Sequence, residues 1–212
     1  MDELDLLKKN WDKNRTSEHE VSEKQIYAML QKGSSSVVKW ILIVGILEFL
    51  LWSILSIISY DENQMTEMGL AKYEKVLDVI NVLYYVVLIS FIVLFYKNYK
   101  AVTVVTDTKS LMQSILKVRK TVNYYVGFNL IFLALGTFAL FSLIILSAPQ
   151  FESLRNLLFD GHHNFKIFLL VVLTSVFVLI FLLVFWLFYK LIYGLFLQKL
   201  SKNYKELQKI DL

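Results

Sequence analysis

The chain has 212 residues, of which 57% are hydrophobic and 15% aromatic, with a single proline and a mean hydropathy of +0.55. That composition excludes an ordinary water-soluble domain and places the chain in the membrane class. Cysteine is absent, which rules out disulfides, zinc-thiolate sites and thiol nucleophiles, and the net charge of +4 matters less than where its charges sit.

Residues 1–36 read as a polar N-terminal arm of amphipathic helices. Asp2, Glu3 and Asp5 suit the positive end of a first helix that puts Leu4, Leu7 and Trp11 on one face. A second helix starts at Ser22, with Gln25 reaching back to complete the cap, and presents Ile26, Met29 and Leu30. Gly33, Ser34, Ser35 and Ser36 either hinge this helix or let it run on. Because the arm is polar, the apolar run after it is expected to act as its own insertion signal.

That run, residues 37–59, is long enough at helical rise to cross the roughly 30 Å of bilayer hydrocarbon. Glu48 stands at its midpoint. A charged side chain there costs about 2.5–3.5 kcal/mol even on insertion scales, so Glu48 is expected to face other helices. Gly45, Trp52, Ser56 and Ser59 share its face, and Ser90, Thr137, Thr174 and Ser175 are its expected partners at similar depth. Two readings stay open: a carboxyl hydrogen-bonded to a neighbouring helix, or a site for a proton, a cation or a polar ligand.

Residues 60–78 follow as an outer loop and residues 79–96 as a second span. Residues 97–124 form a loop with an amphipathic helix, capped by Asp107 and carrying a seam of Leu111, Ile115, Val118 and Val122. A third span covers residues 125–147, a second outer loop residues 148–166, and a fourth span residues 167–189. The tail, residues 190–212, repeats the seam spacing with Tyr193, Leu197, Leu200, Tyr204 and Leu207.

Lysine and arginine set the orientation. Lys8, Lys9, Lys13, Arg15, Lys24, Lys32 and Lys39 belong to the arm and its junction, Lys97 to Lys120 supply six more in the middle loop, and five lie in the tail. The two outer loops hold only Lys72, Lys75, Arg155 and Lys166, so both termini and the middle loop are expected to be cytoplasmic. Trp40 and Tyr84, Tyr85, Tyr96, Tyr99, Tyr124, Tyr125, Tyr189 and Tyr193 are expected at headgroup depth, with Tyr84 and Tyr85 fitting that role less well. The loop and tail seams should meet as a helical sub-bundle below the membrane.

Catalytic and metal signatures are lacking. His162 and His163 are adjacent in an outer loop with Asp160, a poor arrangement for one ion, and His19 falls on the other side of the membrane. Neither a Ser-His-Asp set nor a Gly-rich phosphate loop is present, so no cofactor and no metal is expected. The basic residues sit on helical seams without interleaved stacking aromatics, which argues against direct contact with nucleic acid.

The opening MDELDLLKKNW, the run SEKQIYAMLQKGSSSVVKWI, the stretch TDTKSLMQSILKVRKTVNYY and the tail LIYGLFLQKLSKNYKELQKI together resemble an uncharacterised group of small four-span membrane proteins of Bacteroidota. Members of that group are similar to neighbours of sigma factors, and some carry an automatic beta-carotene 15,15'-monooxygenase name. The resemblance implies a bacterial inner-membrane location and a regulatory role. An iron oxygenase needs several histidines converging at one depth, which this sequence does not supply.

The expected fold is an all-α, integral membrane four-helix bundle with amphipathic cytoplasmic helical extensions. Its expected function is that of a non-enzymatic regulator or adaptor, binding a cytoplasmic protein through Leu4, Leu7, Trp11, Ile26 and Leu30. The alternative is a small transporter or channel component, a homo-oligomer using Glu48. A membrane-embedded enzyme acting on a lipid-like substrate ranks third.

Overall fold

The computed structural model describes residues 23–59, 61–159 and 164–210. They form α1 (Glu23–Ile58), α2 (Glu62–Glu67), α3 (Glu74–Val104), α4 (Thr108–Ser147), α5 (Glu152–Phe159) and α6 (Asn164–Ile210), with 3-10 turns at Ala71–Tyr73 and Pro149–Phe151. No strand occurs among the described residues. The all-helical bundle is thus as expected from the apolar runs. Of the segment expected as the second outer loop, residues 149–159 are helical, with Pro149 opening the first turn, where a missing N–H costs nothing.

Helix α1 is continuous through Gly33, Ser34, Ser35 and Ser36, so these small residues are no hinge. They permit close approach instead: Ser34 is fully buried and accepts a hydrogen bond from Asn203 Nδ2 at 3.0 Å, and a Cβ at Gly33 would already touch the same amide. The break between α3 and α4 is only residues 105–107. Asp107 caps α4 there, accepting from the Ser110 backbone N–H at 3.0 Å and from its hydroxyl at 3.1 Å, and these bonds hold its carboxyl below the usual carboxylate range. Orphan carbonyls at the end of α3 are covered by α1: Tyr27 Oη donates to the Val105 carbonyl at 3.0 Å, and Gln31 Nε2 donates to the same oxygen.

Four of the helices are long and apolar enough to cross a membrane. They run alternately up and down, each packed beside the next in the chain, and α6 closes the ring against α1. Outward positions such as Ile57, Leu135 and Leu191 are exposed and apolar. Water would penalise such a surface; hydrocarbon accepts it, and the helices satisfy their own backbone groups. This is a membrane protein with four candidate spans.

We call the end holding the start of α1 and the end of α6 basal, and the opposite end apical. Most of the buried apolar side chains lie toward the basal end. Leu111, Ile115, Val118 and Val122 of α4 lie with Leu200, Leu207 and Tyr193 of α6 in one core cluster with Val37, Val38 and Ile41 of α1 and Phe95 and Val102 of α3. Both seams read in the sequence therefore pack into this core, with Leu197 and Tyr204 half-buried at its edge, and they belong to the same long helices as the spans.

Interhelical hydrogen bonds fix the register. Ser34 pairs with Asn203, Ser35 with Thr103 at 3.0 Å, and Asn98 Nδ2 donates to Thr121 Oγ1 at 2.9 Å. Counting along antiparallel helices from these bonds brings Lys39, Lys97, Lys120 and Lys199 to one level, all exposed. Trp40, Tyr96 and Tyr124 lie just apical of them and are likewise exposed. Ammonium groups beneath a girdle of amphipathic rings suit a headgroup plane.

At the apical end, Gly69 adopts φ +69°, and a Cβ there would stand 2.4 Å from the Ser147 carbonyl oxygen. Only glycine both tolerates that backbone and lets the link between α1 and α3 seat on the end of α4.

Candidate functional site: a cavity above a glutamate and its tyrosines

Glu48 lies nine residues apical of Lys39, about 14 Å along α1 at 1.5 Å per residue. In a bilayer with its headgroups at the lysine level, that position would be near the middle. At this depth α6 contributes Tyr189 and Tyr193, one turn apart on the same face. Tyr189 Oη donates to Glu48 Oε1, and Tyr193 Oη donates to Oε2 at 3.2 Å. Tyr125 of α4 completes the cluster, with its ring centroid 5.8 Å from that of Tyr193 and 5.3 Å from that of Phe95. All three tyrosines are buried, at 2%, 5% and 2% exposure for Tyr125, Tyr189 and Tyr193.

The core cluster stops at about the level of Leu88, Tyr125 and Tyr189. Above it the helices part around a cavity of about 350 Å³, to which every long helix contributes: Trp52 and Ser56 from α1, Asn81 and Tyr84 from α3, Asn129 from α4 and Tyr189 from α6. Tyr84 Oη donates to Asn129 Oδ1 at 2.9 Å, and the ring of Tyr84 stacks on Phe132 at 4.3 Å between centroids. Asn129 Nδ2 in turn donates to the Tyr125 carbonyl at 2.9 Å, so the buried amide is partnered on both sides.

A groove of about 450 Å³ between α1 and α6 adjoins the cavity, sharing Trp52, Phe185 and Tyr189 with it and exposing Glu48 among apolar side chains. Trp52 and Phe185 stack at 6.2 Å between centroids across this groove. Among the described residues no lysine or arginine lines the cavity or the groove. The combined space therefore offers aromatic faces, hydroxyl and amide groups and one carboxylate, a set that accepts hydrogen bonds and favours a cation.

A family model described as Domain of unknown function (DUF8845) matches residues 24–212, nearly the whole chain. The chain belongs to the DUF8845 family. No curated protein and no solved structure matches it. The span matched by the DUF8845 model begins inside α1 and includes every residue of the cavity, whereas most of the N-terminal arm lies before it.

Of the residues singled out in the sequence, Glu48 is central, but its partners are not those expected. The Ser90 and Ser175 hydroxyls bond back to the Val86 and Val171 carbonyls of their own helices, at 2.8 and 2.7 Å. Tyr125, Tyr189 and Tyr193, expected at the headgroups, are inside the bundle; Tyr96 and Tyr124 remain outside it. Leu30 packs against the core and Ile26 is half-buried, while Leu4, Leu7 and Trp11 lie outside the described residues, as do His19, His162 and His163. Among the described residues no three His, Cys, Asp or Glu side chains gather as a metal site. Asn81 and Asn129 escaped the sequence reading, although an amide inside an uncharged run, residues 79–96 for Asn81 and residues 121–151 for Asn129, is a signal of the same kind as Glu48.

Proposed function

We propose that this DUF8845 protein is a non-enzymatic membrane regulator, seated in a bacterial inner membrane with both termini cytoplasmic, whose four-helix cavity senses a small amphipathic molecule drawn from the bilayer. Its cationic or hydrogen-bond-donating end meets Glu48, and its apolar part occupies the cavity or the groove between α1 and α6. The observation that carries this reading is the meeting of all four helices around one cavity that has an acid beside it and no base. Occupancy would change how the helices part above Tyr189 and so bias the packed basal end, whose charge distribution suits the cytoplasmic side. There the N-terminal arm, through Leu4, Leu7, Trp11 and Ile26, supplies the surface for a soluble protein partner; the resemblance to neighbours of sigma factors makes a transcription regulator the partner class.

The first test uses the full chain in phosphatidylcholine nanodiscs, with dodecylamine and dodecanoate as probes of equal tail and opposite charge. Dodecylamine is expected to raise the thermal midpoint of the wild type and not of Glu48→Gln, because a ligand bound only by the folded state stabilises it by mass action. An equal rise with dodecanoate, or a rise that survives Glu48→Gln, would remove the sensing site. The partner is tested by cross-linking from native membranes with a tag after Leu212: deletion of residues 1–33 should release a soluble protein that the full chain holds, and its retention would sink the arm's role.

A small oligomeric transporter is the second reading, favoured by the position of Glu48 in a groove open to lipid. Basal of Glu48 the core is closed by Ile41, Phe95, Val118 and Val122, so conduction would require that packing to open or copies to assemble. Passage of dodecylamine across sealed vesicles, dependent on Glu48, would favour it.

A further inference from the structure

Away from Glu48, the seam between α4 and α6 carries two adjoining hollows. The basal one, about 350 Å³, is lined in part by Asn123, Gly127, Lys190 and Gly194. The apical one, about 480 Å³, is lined by aliphatic side chains such as Ala134 and Leu182 together with Trp186. Leu130 and Trp186 belong to both, so the hollows form one continuous groove with a polar lower end.

Glycine keeps the lower end open. A Cβ at Gly127 would meet no atom within 4 Å, and one at Gly194 would meet only Lys190 Cγ at 3.8 Å. Neither glycine is required by a tight contact of the protein with itself, and each weakens its helix relative to alanine. Among the described residues Lys190 is the one charged side chain lining either hollow. Its ammonium lies over the Trp186 ring, 4.5 Å from the centroid, and no carboxylate pairs with it among the described residues. A cation at the end of an apolar run is costly without an anion, and a hollow on a lipid-facing seam is filled by lipid.

We propose that this seam binds an anionic phospholipid. The phosphate sits between Lys190 and Asn123 in the lower hollow, and an acyl chain runs past Leu130 and Trp186 into the apolar one. The direction agrees with a lipid of the basal leaflet, whose chains point apically: Asn123 lies three residues apical of Lys120, close to the lysine level, while Lys190, nine residues apical of Lys199 and at the depth of Glu48, reaches the phosphate by extending its stem basally off the Trp186 ring. Charge complementarity selects an anionic lipid, and the shape, a polar compartment continuous with a longer apolar one, selects a lipid rather than a free ion.

Native mass spectrometry of the full chain, released from nanodiscs of equal phosphatidylcholine and phosphatidylglycerol, tests the assignment. Wild type is expected to retain phosphatidylglycerol in excess. Lys190→Gln should cut that excess about fivefold, the attraction of one lysine to an anionic surface, and Lys190→Arg should keep it. Gly127→Leu fills open space, so it should expel the lipid while helix content stays at the wild-type value. Equal retention of the two lipids by wild type would overturn the proposal, as would an unchanged preference in both Lys190→Gln and Gly127→Leu.

Discussion

Leucine in place of Glu48 is expected to destabilise the purified protein by about 2–6 kcal/mol, although it removes a carboxylate from an apolar span. The reason lies on α6: Tyr189 and Tyr193 both donate to that carboxylate, and each buried hydroxyl left without an acceptor costs about 1–3 kcal/mol. Adding Tyr189→Phe and Tyr193→Phe to Glu48→Leu should then recover most of the loss, because a matched apolar set is close to neutral where a half-removed polar one is not. Thermal unfolding of the single and triple variants in mild detergent measures this. A triple variant less stable than Glu48→Leu would mean that the tyrosines stabilise the bundle by some route other than the carboxylate. The recovered triple variant should still fail to bind dodecylamine, which separates the role of the cluster in folding from its role toward a ligand.

Alanine at Ile115 or at Leu200 is the second large change. Both side chains have 0% exposure in the basal core, and truncating a fully buried aliphatic leaves a cavity worth about 2–5 kcal/mol. The effect should be confined. Amide exchange is expected to accelerate in the first four turns of α4 and the last turns of α6, while the spans around Glu48 keep their protection, since lipid continues to enforce helix hydrogen bonding there. Equal acceleration along the whole of α4 would show that the bundle opens as a single unit and that the basal end has no independent stability.

These two experiments fall on the two parts of the chain that differ in how openly the sequence declares them. The basal seams were legible because the helices there carry lysines and other polar residues between their apolar positions, so Leu111, Ile115, Val118 and Val122 stand out at intervals of three and four. Within the spans that contrast is lost, since lipid and core both take apolar side chains. Glu48 could be picked out as an anomaly there, but its partners could not. A tyrosine suits a headgroup plane and a buried hydrogen bond equally well, and only the antiparallel register of α1 and α6 decides that Tyr189 and Tyr193 face inward. The continuity of α1 was hidden for a related reason: glycine and three serines are weak helix formers, and packing against Asn203 decides the matter from 169 residues away.

That long separation has a consequence in time. Successive helices of this bundle pair with the next in the chain, so α1, α3 and α4 can associate as they emerge, but the contacts of α1 with α6 span 141 to 169 residues and wait for the last helix. At translation speeds of about 5–20 residues per second, Tyr189 is made roughly 7–28 s after the Glu48 it hydrogen-bonds. The carboxylate is thus a placeholder during synthesis, and the site is assembled by the final helix to arrive.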